Sequence, residues 1–371
     1  MQILAQIGRK FCSEITFVKI SLTNFAYRHG AKPWSRLKFY TLRCMKKIFY
    51  LLAATALITA VAGCKGTGKK EAPKGNTSTS GTVVMACDAS FENVMQQEIE
   101  VFEYVYPDAS VLSYYTDEKA CVDSLLFGKA RIAVVSHELT REQISFLRDK
   151  KHFAKTKKIA VDAVAVIVNP DNPVENLSVA ELTEILTGKV TQWNDVYPSK
   201  LGKIQVIFDH NGSSVTKFMQ DSILSGASYG QNVFAANTMK DVFEAVKSRR
   251  NAIGLVGVSW ISADLKNADL SAEERIKNLE VDDTTATSLT DEVKVLGIRK
   301  NDSPVAYKPY QSYIFDGSYP LYRSIYMINT GGAGTLANGF FAFVTSFRGQ
   351  KLMMSTGVLP ATVHHRMVQV N

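Results

Sequence analysis

Ile159-Ala160-Val161-Asp162-Ala163-Val164-Ala165-Val166-Ile167-Val168 runs directly into Asn169-Pro170-Asp171-Asn172-Pro173, and this junction sets how the chain is organised. The run is apolar apart from Asp162 and rich in β-branched residues, so it reads as a buried strand. It is longer than an ordinary strand of about 5–6 residues. That length predicts a strand that leaves one lobe and continues into a second as a crossover, broken at last by the Asn-Pro turns. The resulting division places 82–165 with 293–371 in lobe I, and 166–292 in lobe II.

Outward from this junction, short β-branched runs alternate with helical patterns. Upstream, the pattern predicts strands at Thr82–Cys87, Ser110–Tyr115 and Ile132–Val135. Helices are expected at Phe91–Tyr106, Ala120–Phe127 and Arg141–Lys151. Downstream, Ser178 caps a helix over Val179–Leu186 that Gly188 closes. Strands at Ile204–Phe208 and Ala252–Val258 alternate with helices at Ser213–Leu224 and Met239–Ser248. Residues 262–292 read as polar and loop-rich, and Val293–Arg299 as a strand returning to lobe I. Arg323–Asn329 is a further strand, and Leu336–Met354 is helical with a break near Gly349. Alternation of this kind predicts an α/β fold with largely parallel sheets.

The 371 residues suffice for two lobes with buried cores. The formal charge of +8 suggests a polyanion partner until it is located: ten of the 43 Lys/Arg and one of the 35 Asp/Glu fall in residues 1–64, leaving −1 for 65–371. Nucleic-acid binding is therefore not expected. The leader explains the excess. Met45-Lys46-Lys47 precedes the apolar run Ile48–Ala62, which is shorter than a membrane span. Val61-Ala62-Gly63-Cys64 resembles a bacterial lipobox, in which cleavage leaves a lipidated cysteine, and two acyl chains make a stable anchor. Residues 1–44 precede this signal as an upstream extension, 45–63 form the signal peptide, and the Lys/Gly/Thr/Ser-rich 64–81 reads as a tether. A disulfide between Cys87 and Cys121 is permitted in an exported chain but not required.

Four strand-to-helix turns carry hydroxyl groups at their junctions. They are Cys87-Asp88-Ala89-Ser90-Phe91, Tyr115-Thr116-Asp117-Glu118-Lys119, Val135-Ser136-His137-Glu138 and Asp209-His210-Asn211-Gly212-Ser213-Ser214. Each alone is explained by helix capping. Together they gather where ligands sit in open α/β sheets, beyond the carboxyl ends of the strands, and small hydroxyl residues opening a helix suit an anion. No nucleophile elbow, zinc-protease motif, Walker loop or dinucleotide fingerprint is present, so no enzyme and no cofactor are expected. His364-His365 lack placed partners and Asp282-Asp283 read as a solvated pair, so no metal site is expected.

The stretch from Val168 to Ser178, then Ile185-Leu186-Thr187-Gly188-Lys189-Val190-Thr191-Gln192-Trp193-Asn194, resembles the phosphate-binding components of ABC importers, the PstS-like family, in a divergent lipoprotein form. Ala252–Gly257 and Tyr319–Arg323 are similar to that family's buried strand and late return segment. The resemblance implies a type II periplasmic-binding-protein fold, two α/β lobes joined by crossover strands around a cleft. It implies a monomer that binds phosphate, hands it to a permease, and is exported and lipid-anchored. The alternative is a protein binding or sensing sulfate, molybdate or a phosphonate. By position, Ser90 and Phe91, Thr116 and Asp117, Ser136 and His137, and Ser213 and Ser214 match anion-contacting turns. The best-known members carry Arg and Asp where Asp209 and Asn211 stand, and Thr where Val215 stands; His137 occupies a place where divergent relatives often hold Arg. Asp88 and Asp117 are both candidates for the carboxylate that accepts a phosphate proton.

Overall fold

The computed structural model describes residues 75–210, 212–262, 270–280 and 289–362. The leader with Cys64, the turn residue Asn211, the pair Asp282-Asp283 and His364-His365 lie outside the described residues.

The long apolar run is one 14-residue strand, β4 (Lys155–Val168), about 45 Å long at ~3.3 Å per residue. Its first part, Lys155–Ala163, pairs antiparallel with β12 (Tyr322–Asn329), and Val164–Val168 pairs with β8 (Ala252–Gly257). One strand thus serves both lobes. At Val164, where the partner changes, the N–H donates to the Leu321 carbonyl (2.8 Å) and the carbonyl accepts from the buried Tyr319 hydroxyl (2.7 Å). In lobe I, β1 (Gly81–Asp88) lies parallel between β2 (Ala109–Thr116) and β3 (Ile132–Val135). In lobe II, β6 (Gln205–Phe208) lies parallel between β7 (Val233–Ala235) and β8. The sheet order is β2-β1-β3-β12-β4-β8-β6-β7.

The helices form where periodicity and caps place them. Helix α1 (Glu92–Val105) buries Val94, Ile99 and Phe102, and Phe102 makes edge contacts with Tyr106, Phe340 and Phe343. Asp117 caps α2 (Glu118–Leu126) through the Ala120 N–H. Capping boxes open α3 (Arg141–Asp149), α4 (Val179–Leu186) and later α6 (Met239–Ser248); loss of such a cap typically costs about 1 kcal/mol. Gly188 closes α4 at φ +74°, a conformation that favours glycine.

Several expectations are corrected. The loop-rich 262–292 region holds a helix for which no range was expected, α7 (Ala272–Glu280). It packs Ala272, Ile276 and Leu279 against the core, and Arg275 Nη1 donates to Gln97 of α1 (2.9 Å). Val293–Arg299 is two strands, β9 (Lys294–Val295) on β4 and β10 (Gly297–Arg299) beside β5 (Asn176–Ser178) and β11 (Ala306–Tyr307). The successive amides of Leu296 and Gly297 bond different partners, Val166 and Glu175, so the chain stays at the lobe II end. It is β12 that runs back along β4 into lobe I. The Ser213–Leu224 helix is α5 (Ser214–Phe218) continued as a π turn over Met219–Ile223. After α8 (Gln311–Phe315), the C-terminal break falls at Thr345–Ser346, between α9 (Leu336–Val344) and α10 (Phe347–Ser355). Gly349 lies inside α10, where a Cβ would come within 2.5 Å of the Phe343 carbonyl. The end of the expected tether is docked, for the Leu336 N–H donates to Asn76 Oδ1 (2.8 Å) and Ser80 is buried. Cys87 and Cys121 are buried free thiols.

Candidate ligand-binding site

Asp88 ends β1 and is fully buried; its Oδ1 accepts from the Ser90 N–H (2.9 Å), which shapes the turn Ala89–Phe91. The same oxygen accepts from the Ser214 hydroxyl at 2.7 Å, and Ser90 Oγ lies 3.3 Å from Ser214 Oγ. Ser214 opens α5 in lobe II, so this contact joins the two lobes. Its neighbour Ser213 caps α5, accepting from the Thr216 N–H (3.2 Å). Gly212 turns the chain into the helix at φ +87°.

Two residues of the crossover strands complete the group. Arg323 of β12 donates from Nε (3.1 Å) and Nη2 (3.0 Å) to Asp162 Oδ2, and from Nη1 to Ser214 Oγ (2.5 Å). Its guanidinium lies over the Phe91 ring, 4.7 Å from the centroid. Asp162 Oδ1 accepts from the Val258 N–H just beyond β8 (3.1 Å). A Cβ at Gly257 would sit 3.0 Å from the Asp162 carboxylate, so the glycine makes room for it. Trp260 Nε1 donates to the Ser90 carbonyl (3.1 Å) and pins the lobe I turn. Burial pushes the Asp88 and Asp162 carboxyls above their ordinary range, with Arg323 pulling both the other way. Asp88 Oδ2 is buried and makes no hydrogen bond among the described residues.

A second group stands beside the first. Glu118, in the first turn of α2, is buried; its Oε1 accepts from the Ser136 N–H (2.6 Å) and hydroxyl (2.5 Å). Its Oε2 lies 3.5 Å from His137 Nε2 and 3.8 Å from Lys217 Nζ of α5. At the head of lobe II, Asp209 Oδ2 is 3.2 Å from His210 Nδ1, and that contact raises the His210 pKa against the effect of burial.

Of the expected residues, the structure brings Asp88, Ser90 and Ser214 into direct contact, with Ser213 beside Ser214 as the cap of α5 and Phe91 under the Arg323 guanidinium. Thr116 lies beside Asp88 in strand register, Asp117 is engaged in capping α2, and Ser136 and His137 meet Glu118. Sequence reasoning missed Arg323, Asp162, Glu118 and Lys217. A signal for one of them was present, for Asp162 interrupts an apolar strand.

A buried polar knot fed by both lobes and both crossover strands defines a clamp-type binding protein with the type II periplasmic-binding-protein fold. Residues 72–348 match the PBP superfamily domain, and the chain belongs to that superfamily. A relative, phosphate-binding protein PstS 2 of Streptococcus agalactiae, is 33% identical over 118 residues, which is 32% of this chain and 38% of that protein. The phosphate-binding protein PstS of Pseudomonas aeruginosa is 21% identical over 86% of this chain and 94% of its own length. Among solved structures, a Clostridium perfringens protein with bound phosphate superposes with a TM-score of 0.60 at 20% identity, covering 76% of this chain and all of its own. An ABC-type phosphate transport receptor from Vibrio cholerae gives 0.53 at 19% identity, covering 75% and 99%.

Proposed function

We propose that the chain is an extracytoplasmic solute-binding protein that closes its lobes on phosphate and delivers it to the permease of an ABC importer. One observation carries this reading: Ser214 of lobe II and Asp88 of lobe I meet in a buried contact that Arg323 reaches from the crossover. Hydroxyls of Ser90, Ser213 and Ser214 are donors suited to an oxyanion, and charge-assisted hydrogen bonds of this kind are strong. Arg323 supplies the guanidinium that the Asp209 position lacks. Asp88, whose Oδ2 is uncommitted, is the carboxylate that accepts a phosphate proton, since Asp117 is occupied as a cap. Thr116 stands beside Asp88, and Ser136 with His137 act one layer out through Glu118; Asn211 is kept as a ligand contact on the resemblance alone. The matched relatives are substrate-binding proteins rather than enzymes, which supports a binding role without turnover.

The same reading has the leader cleaved before Cys64, the cysteine diacylated, and the mature chain monomeric on the envelope. Lobe II then extends past residue 292 to include β9 and β10. Among the described residues no helix is long and apolar enough to cross a membrane. Calorimetric titration of residues 72–371 with phosphate, sulfate, arsenate and molybdate tests the ligand. Phosphate binding with sulfate much weaker is expected; no phosphate binding, or preference for sulfate or molybdate, overturns it. Cys64→Ser is expected to release the protein from the membrane fraction, and unchanged partitioning sinks the anchor.

A further inference from the structure

The near-zero charge of residues 65–371 conceals a segregation. Two lobe I segments, residues 127–131 before β3 and 148–155 from the last turn of α3 to the first residue of β4, carry Lys129, Arg131, Arg148, Lys150, Lys151 and Lys155. All six are exposed, against a single acid, Asp149. The segments lie side by side. Lys150 Nζ sits 5.3 Å from the centre of the Phe127 ring and 4.3 Å from that of Phe146, and Arg131 Nη1 is 3.5 Å from His152 Nε2. Phe127 and Phe153 stand out from the surface, 62% and 71% exposed. Two exposed phenylalanines beside six cations give this end a mixed basic and apolar surface.

Topology fixes which end of the molecule this is. β3 runs parallel to β1, and β12 is antiparallel to both β3 and β4, so β1, β3 and β4 all start at one end. The basic segments stand at that end, opposite the strand ends that carry Asp88 and Ser136. The amino-terminal segment docks there too. Asn76 Oδ1 accepts from the Leu336 N–H, while Lys155 Nζ donates to Asn338 Oδ1 (3.3 Å) two residues along the same helix.

We propose that this end of lobe I is a docking face for an anionic phospholipid surface. Lysine and arginine are drawn to acidic headgroups, and phenylalanine inserts at the boundary between headgroup and acyl chain. The proposal rests on the anchor reading for orientation. Cys64 precedes Gly75 by eleven residues, a connector of at most about 40 Å, and it reaches the body at the basic end. An anchored protein so docked holds its phosphate-binding edge away from the bilayer. An acidic protein surface would satisfy the lysines, but it gives no reason for the exposed Phe127 and Phe153.

The test uses residues 72–371, which hold the whole described core as one compact unit and carry neither leader nor Cys64. Sedimentation with vesicles of phosphatidylcholine, alone or mixed with phosphatidylglycerol, reads the binding. Binding is expected only with phosphatidylglycerol, falling as salt rises. Lys150→Glu with Lys151→Glu is expected to weaken it at least about tenfold, and Phe153→Ser to weaken it further, with phosphate affinity unchanged. No phosphatidylglycerol-dependent binding, or binding that survives the charge reversal, overturns the proposal. So does binding to polyglutamate without binding to vesicles, which would assign the face to an acidic protein. Because the acyl chain is absent from this material, its outcome is independent of the Cys64→Ser fractionation.

Discussion

Arg323 and Asp162 are direct cross-strand partners where β12 meets β4, and two guanidinium nitrogens converge on the single oxygen Asp162 Oδ2. Both side chains are buried, at 5% and 1% exposure. A buried pair of this kind balances desolvation against attraction, and removal of one partner strands the other. The third nitrogen, Nη1, reaches past the pair to Ser214 in lobe II. The pair thus fixes a cation at the point where the lobes meet.

Arg323→Met is therefore expected to lower stability by about 3–5 kcal/mol, because Asp162 is left buried without its partner. Arg323→Met combined with Asp162→Leu removes both charges and is expected to recover most of that loss in urea denaturation. Phosphate affinity is expected to stay low in both variants. Recovery of binding along with stability would make Arg323 a structural residue only.

Asp88 separates phosphate from sulfate if its Oδ2 accepts the ligand's proton. Asp88→Asn keeps the shape and the acceptor for Ser90 N–H, but presents an N–H where the acceptor stood. Phosphate affinity is expected to fall about tenfold or more, while sulfate binding holds or improves. Titration of both anions against both proteins checks this; an equal loss for the two would place the proton acceptor elsewhere.

The crossover was legible because a ten-residue apolar run is too long for one small sheet, and β4 is just such a shared strand. The hydroxyl turns were legible because caps and parallel strands have local signatures. Arg323 was not. Nothing near it in sequence pairs with it, since its partner Asp162 lies 161 residues away and only the β4–β12 register brings them together. Glu118 was hidden by its place beside Asp117: in a helix start an acid reads as a dipole partner, and its burial against Ser136 depends on β3 lying next to α2. Helix α7 escaped because its apolar stripe, Ala272, Ile276 and Leu279, is only three residues in a segment otherwise charged or polar.

Ser213 and Ser214 are adjacent but differ in what their hydroxyls hold. Ser213→Ala loses the cap to Thr216 and is expected to cost about 1 kcal/mol of stability, with a modest effect on phosphate. Ser214→Ala loses contacts to Asp88 and Arg323 and is expected to weaken phosphate by about 1.5–3 kcal/mol, tenfold or more. Thermal unfolding and titration on each variant separate the two roles, and equal phosphate losses would argue against the division.

Glu98 of α1 is fully buried, and neither carboxylate oxygen finds a hydrogen bond among the described residues. Burial holds its pKa well above the ordinary 4.5. The folded chain therefore binds this proton more tightly than the unfolded chain. The stability associated with it is fully present below pH 4.5 and is lost as pH rises through the raised folded value. Glu98→Gln is expected to stabilise the protein by about 1–3 kcal/mol near neutrality, with the gain shrinking toward acid and phosphate affinity unchanged. Urea denaturation of both proteins across pH checks the sign, and a gain that grows toward acid would contradict it.

Glu118 links the second group to the first. Its Oε1 takes both donors of Ser136, and its Oε2 faces His137 on lobe I and Lys217 on lobe II. Lys217 is about half exposed, and a solvent-screened pair of this kind contributes about 0–1 kcal/mol. Lys217→Ala is therefore expected to change phosphate affinity less than about threefold, and less still at high salt. His137 is 38% exposed on its side chain and touches Glu118 rather than the knot around Ser214, so His137→Ala is expected to be similarly mild. Glu118→Ala is different, because it frees two donors of a partly buried turn, and each unsatisfied donor costs about 1–3 kcal/mol. It is expected to loosen the Ser136 turn, lower stability, and weaken phosphate binding about tenfold. The order of the three losses, measured by titration at one pH, is the readout. If His137→Ala cost more affinity than Glu118→Ala, the imidazole itself would be holding the anion and the carboxylate would only be orienting it.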